Sequence, residues 1–108
     1  MKSIYVCSRF SGDVDKNIAN AVKYSHWLFK LGYFPVCVHI YLEKATGLSE
    51  SKGDKVKLLE LGKHVLSLCD EVWVFTGYGF SEGMKSEVDY AHSNKIPVRY
   101  IPFIPHYP

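Results

Sequence analysis

Glu71-Val72-Trp73-Val74-Phe75-Thr76-Gly77-Tyr78-Gly79-Phe80-Ser81 is the stretch whose reading decides the fold. Its first five residues form a near-continuous apolar run rich in β-branched and aromatic side chains, the pattern of a strand buried on both faces. Two glycines then break the run, and Ser81 opens a helical segment that reaches about Ser93, closed by Asn94. Residues 96–101 supply a further strand, so the carboxyl half reads strand, turn, helix, strand. Working back towards the amino terminus, residues 54–68 are helical, with Leu58, Leu61, Val65 and Leu68 on one face. Residues 43–53 carry Thr46, Gly47, Ser49, Ser51 and Gly53 and read as a loop, the longest connection in the chain, of a length that in compact domains often serves function. Residues 35–42 alternate Val36, Val38 and Ile40 against Cys37, His39 and Tyr41, which predicts a second strand. Residues 14–31 repeat Val14, Ile18, Ala21, Val22, Ser25 and Leu28 at helical spacing, with Asp13 placed to cap and Gly32 to terminate. Ser3–Cys7 is the first strand, ending in the polar turn 8–13.

Strands alternating with helices predict an α/β fold, a small flavodoxin- or Rossmann-like three-layer sandwich with a four-stranded parallel sheet and right-handed crossovers, all in one domain over residues 1–108. In such sheets ligands sit outside the carboxyl ends of the strands. Here that rim comprises residues 8–13, 39–42 and 76–81.

The composition narrows the function classes. With 47% hydrophobic and 15% aromatic residues, the chain has enough apolar surface to build a core. Thirteen basic and eleven acidic residues are scattered without a basic stripe, so nucleic acid is not an expected partner. Cys7, Cys37 and Cys69 are odd in number and form no CxxC pair, which argues against a disulfide framework and against a metal site. No apolar stretch approaches the roughly 20 residues of a membrane span, and no signal peptide opens the chain. The expectation is a reduced, cytoplasmic protein without membrane partner or cofactor.

Several residues on the rim can carry chemistry. Ser81 at a helix start aims its hydroxyl and nearby backbone N–H groups at one point, a site for phosphate or another anion, and Gly83 lets a ligand approach the first turn closely. Plain N-capping is the competing role for Ser81. Glu87 lies in the second turn of the same helix. The first loop offers Ser8, Arg9, Ser11, Gly12 and Asp13, of which Arg9 can clamp a carboxylate or phosphate. His39 sits on the second strand with no histidine or cysteine at metal spacing; His26, His64, His92 and His106 fall on helix surfaces or in the tail. Asp70, just before the third strand, reads as a turn residue bonding local backbone. The glycine-rich signatures of dinucleotide and Walker-type phosphate sites are absent.

Four segments in order resemble the nucleoside 2-deoxyribosyltransferase-like superfamily, especially its short phage and bacterial members. They are Ile4-Tyr5-Val6-Cys7-Ser8 with Ser11-Gly12-Asp13; Pro35-Val36-Cys37-Val38-His39; Cys69-Asp70-Glu71-Val72-Trp73-Val74-Phe75; and Ser81-Glu82-Gly83-Met84-Lys85-Ser86-Glu87 leading to Ala91 and Ile96-Pro97-Val98. The resemblance implies N-glycosidic chemistry on deoxynucleosides or their monophosphates. Glu87 would be the nucleophile, Tyr5 its orienting partner and Ser81 a holder of the 5′-phosphate. It also implies subunit pairing, and the aromatic tail from Tyr100 to Tyr107 would pack against the domain or a second subunit. The ligand-binding set is then Ser8, Arg9, Ser11, Gly12, His39, Ser81, Gly83, Met84 and Glu87, with Tyr5 and Glu87 catalytic if the protein is an enzyme.

One departure divides the functional expectation. The superfamily's hydrolases carry an aspartate where this chain has Gly62, and Glu60 would point about 200° away on the helix. The first expectation is therefore capture of a nucleotide-like molecule, such as an ADP-ribose-type or cyclic nucleotide signal, by a homodimer or larger homo-oligomer; in a phage such capture would sequester a host immune signal. The alternative is an N-glycoside hydrolase or deoxyribosyltransferase.

Overall fold

The computed structural model describes residues 1–106. Its elements are β1 (Ser3–Cys7), α1 (Val14–Lys30), β2 (Phe34–Val36), a 3-10 turn (Val38–Ile40), α2 (Leu42–Thr46), a second 3-10 turn (Glu50–Lys52), α3 (Lys55–Leu66), β3 (Glu71–Phe75), α4 (Glu82–Ser93) and β4 (Val98–Ile101). The four strands form one all-parallel sheet in the order β2-β1-β3-β4. The α/β class and the four parallel strands follow the sequence pattern.

Alternation along the strands divides the core. Ile4 and Val6 of β1 and Trp73 and Phe75 of β3 face α1, where they pack with Ala21, Tyr24 and Leu28. Tyr24 stacks on Phe75 at 4.3 Å between ring centroids. Tyr5, Cys7, Val72 and Val74 face the other way, onto Leu66 of α3 and Met84, Val88 and Ala91 of α4. Period-2 strands sandwiched between period-3.6 helices leave both sheet faces covered, which explains why β1 after Ser3 and β3 after Glu71 are apolar.

The centre of the sheet is also pinned at its amino end. Asp70 Oδ2 accepts from the Ser3 N–H at 2.7 Å, and the Asp70 N–H donates to the Ser3 carbonyl at 2.9 Å. Asp70 therefore bonds across to β1 rather than to local backbone. It aligns the register that pairs Ile4 with Glu71 and Cys7 with Val74.

The second strand is shorter than its alternation predicts. β2 ends at Val36, and the next residues wind into 3-10 and α-helical turns, with the Tyr41 N–H donating to the Val38 carbonyl. β2 is an edge strand paired only with β1, up to Tyr5 against Val36, so nothing holds residues 37–42 extended. The predicted loop 43–53 likewise contains the end of α2 and a 3-10 turn, each closed by a glycine at positive φ, Gly47 and Gly53. β4 begins at Val98, two residues later than expected. The tail folds back on the domain: the Phe103 ring meets Trp27 edge-on at 5.9 Å, and Phe103 and Ile104 lie directly over Gly77. Tyr107, which the sequence reading assigned to the same packing, lies outside the described residues.

Leu28 is fully buried between α1 and the sheet. Leu28→Ala should therefore lower unfolding free energy by about 2–5 kcal/mol in urea titration, with an unchanged slope.

Candidate functional site

α4 presents Met84, Glu87, Val88 and Ala91 inward, a buried i, i+3, i+4, i+7 stripe with one carboxylate in it. Glu87 is only 5% exposed. Its Oε2 accepts from the Tyr5 hydroxyl at 2.5 Å. Tyr5 is itself wholly buried in the middle of β1. On the third side stands Gly62 of α3: a β-carbon there would lie 2.9 Å from Glu87 Oε2 and 3.2 Å from the Tyr5 hydroxyl oxygen. Glycine lets the α3 backbone close against the pair, and any side chain at position 62 would require the Glu87 carboxyl to shift.

Burial raises the Glu87 pKa to about 7, against the opposing hydrogen bond from Tyr5 and the influence of Cys7 and Lys63. Burial first, and the neighbouring Glu87 second, hold the Tyr5 phenol well above its ordinary range, so Tyr5 remains a donor. A carboxyl raised towards neutrality by burial, on the lining of a cleft, makes Glu87 a candidate for chemistry.

Glu87 lies at the base of a cleft of about 240 Å³ at the carboxyl ends of the strands. Ser8, Phe10 and Ser11 line it from the β1 loop; Val38, His39, Leu42, Glu43 and Glu50 from the segment after β2; Lys55, Leu58 and Leu59 from α3; and Ser81, Glu82, Gly83 and Met84 from the start of α4. Ser81 caps α4, its Oγ accepting from the Met84 N–H at 3.2 Å while its own N–H points to Met84 Sδ at 3.4 Å. The hydroxyl proton of Ser81 is thereby left to donate.

His39 Nε2 lies 2.9 Å from the Ser8 carbonyl oxygen, and the ring packs against Phe10 with centroids 4.8 Å apart. Burial lowers the His39 pKa. Since a carbonyl only accepts, Nε2 carries the proton, and Nδ1 of the neutral ring is an acceptor.

The structure thus brings Tyr5 against Glu87, and Ser8, Ser11, His39, Ser81, Gly83, Met84 and Glu87 onto one cleft. Arg9 and Gly12 are not on it. Arg9 instead lines a narrow crevice with Asn17, Asn20, Tyr24 and Tyr78, on the far side of Ser8, and its guanidinium lies over Gly79. Gly12 has φ +99° with open space around it, so it serves the turn. Ser11 Oγ donates to Glu50 at 2.8 Å. Of the expected rim, residues 76–80 do not line the cleft.

The candidate set lacked Phe10, Val38, Leu42, Glu43, Glu50, Lys55, Leu58, Leu59 and Glu82, which also line the cleft. The signal was the length of the connection after β2, whose helical turns fold it into a wall: Glu43 Oε2 accepts from the Glu50 N–H at 3.1 Å. That wall carries carboxylates, so the want of an acid at position 62 does not leave the cleft without one. Among the described residues no three His, Cys, Asp or Glu side chains gather to hold a metal ion. No described helix is long and apolar enough to cross a membrane.

Residues 2–101 match the model of a family described as a domain of unknown function, DUF7768, and the chain belongs to that family. No curated protein matches the sequence significantly. Among solved structures it is similar to the 2-deoxyribosyltransferase of the psychrotolerant bacterium Bacillus psychrosaccharolyticus, described as a biocatalyst for synthesis of antiviral and antitumoral nucleosides. Identity is 16% and the TM-score 0.68, covering 98% of this chain and 77% of that one, so the two share a fold.

Two outcomes follow from the buried pair. Because the folded-state pKa of Glu87 is raised, the folded protein holds the extra proton, and stability falls as pH rises from about 4.5 to about 7. The full cost above that window is about 3 kcal/mol. Glu87→Gln should therefore melt higher than wild type at pH 8, with the difference vanishing near pH 4.5. In chemical denaturation Gly62→Ala should destabilise by about 1 kcal/mol, overpacking exceeding the gain in helix propensity. In a Glu87→Ala background the same change should cost less, because the shortest contact, to Glu87 Oε2, is gone while that to Tyr5 remains.

Proposed function

We propose that this DUF7768 protein acts on the N-glycosidic bond of a nucleoside or nucleotide, transferring or hydrolysing its sugar with Glu87 as nucleophile. The observation that carries this reading is the Tyr5–Glu87 pair: a buried carboxyl that accepts from the Tyr5 hydroxyl, lining a cleft of about 240 Å³. The likeness in fold to a 2-deoxyribosyltransferase supports it.

The chemistry follows from the residues. The Glu87 carboxylate attacks the anomeric carbon, the glycosidic bond breaks, and the base departs with a proton from the medium or from a cleft carboxyl. A second base, or water, then attacks the same carbon and returns the carboxylate. Tyr5 bonds one oxygen and so fixes which lone pairs face the sugar. Leu42, Leu58 and Leu59 supply apolar wall, and the Phe10 ring a face for a base.

A second reading, capture of a nucleotide-like signal without cleavage, is favoured by Gly62, which brings the α3 backbone against Glu87 and leaves no acid beside it. Incubation with the 2′-deoxynucleosides and their 5′-monophosphates, with and without an acceptor base, separates the two by chromatography. Catalysis yields free or exchanged base; capture returns intact ligand on denaturation.

Glu87→Gln should abolish turnover, by roughly a thousandfold or more, and Tyr5→Phe should reduce it by roughly a hundredfold. Because the nucleophile must be ionised, wild-type kcat/KM should rise with pH and level off above about 7. A rate independent of pH between 5 and 8 would remove Glu87 from the reaction.

A further inference from the structure

Ser8 Oγ is the one buried side-chain oxygen or nitrogen among the described residues that has no hydrogen-bond partner in the protein. Ser8 is 5% exposed, at the end of β1, and it lines the cleft. Leaving a hydroxyl dry and unpaired is costly, so a buried orphan calls for an explanation. Ser25 shows the ordinary solution in the same protein: also buried, its Oγ donates to the Ala21 carbonyl at 2.8 Å. The Ser8 carbonyl is engaged by His39, whose remaining ring nitrogen is an acceptor. Ser8 stands between the cleft and the Arg9 crevice, lining both, and at the β1 end of the cleft it is joined by His39 and Phe10.

We infer that Ser8 Oγ is a ligand-binding group that selects an uncharged hydrogen-bonding group of a nucleoside, and that its unpaired state is the cost of that role. This rests on the cleft being a nucleoside site, as proposed above. The charges around it favour a neutral group: Glu43, Glu50, Glu82 and Glu87 line the cleft against the single cation Lys55, while Arg9 lies on the other side of Ser8. A phosphate at this end would meet carboxylates and a histidine lone pair, whereas a sugar hydroxyl or base N–H finds partners. The crevice on the Arg9 side holds about 10 Å³, enough for one water and no ligand.

Calorimetric titration of wild type, Ser8→Ala, Ser8→Cys and the control Ser25→Ala with 2′-deoxyadenosine, 2′-deoxycytidine and their 5′-monophosphates tests this, alongside thermal melting without ligand. Ser8→Ala and Ser8→Cys should weaken the better-bound nucleoside roughly three- to tenfold, the loss of one neutral hydrogen bond. Their melting temperatures should equal or exceed wild type, because a dry orphan has been removed. Wild type should bind each nucleoside more tightly than its monophosphate, and Ser25→Ala should bind like wild type. Unchanged affinity in both Ser8 variants overturns the inference while leaving the nucleoside site intact. Lowered melting with unchanged affinity overturns it in favour of a crevice water. Tighter binding of the monophosphates overturns the selection of a neutral group. A wild type that binds none of the four compounds overturns the nucleoside site and this inference together.

Discussion

The hydrogen bond from Tyr5 to Glu87 is the constraint around which the rest of the site is arranged. A carboxyl inside an apolar helix stripe is tolerable only if something bonds it, and the partner comes from the strand that forms the middle of the sheet. To bring them together, α4 must lie over β1 and β3, and α3 must close over both with no side chain between. Gly62 is therefore a packing requirement of the pair. Its place in the helix interior costs helix propensity, and Glu87 costs stability at neutral pH through its raised pKa. Two destabilising choices thus meet at one point, which marks it as a candidate site.

The parallel sheet explains why the cleft lies where it does. Every strand delivers its carboxyl end to the same edge, so the β1 loop, the turns after β2 and the start of α4 converge there. β1 supplies Tyr5 within the sheet and Ser8 just past its end, three residues apart. The turns after β2 supply the opposing wall, and their helical winding places Glu43, Glu50 and His39 within reach of the same space. The resulting cleft combines aliphatic walls with an acidic mouth, a neutral imidazole and one ionisable floor group.

That environment also bears on the position of the protein among its relatives. It shares a fold with a 2-deoxyribosyltransferase at an identity too low to carry function. The reading of the site therefore rests on its own geometry: a buried carboxyl with a partner, a hydroxyl without one, and a preponderance of carboxylates over cations. Arg9, which as a sequence feature pointed to phosphate, stands behind Ser8 and outside the cleft.

What the chain reveals unaided is whatever depends on neighbours in sequence. The apolar run Glu71–Phe75, the period-3.6 stripe of α1 and the cap Ser81 are local patterns, and they predicted the sheet, the helices and the end of the sheet that carries the site. Tyr5 and Glu87 were legible as candidates through a family resemblance. The remainder depended on contacts between residues far apart. Alternation in residues 35–42 suits a strand, but only pairing holds one, and an edge position offers pairing on one side for three residues. Which face Arg9 takes, why position 62 is glycine and which hydroxyl goes unpaired are questions of three-dimensional packing. Hydrogen-bond partners such as Tyr5 and Glu87, 82 residues apart, are chosen by the tertiary fold.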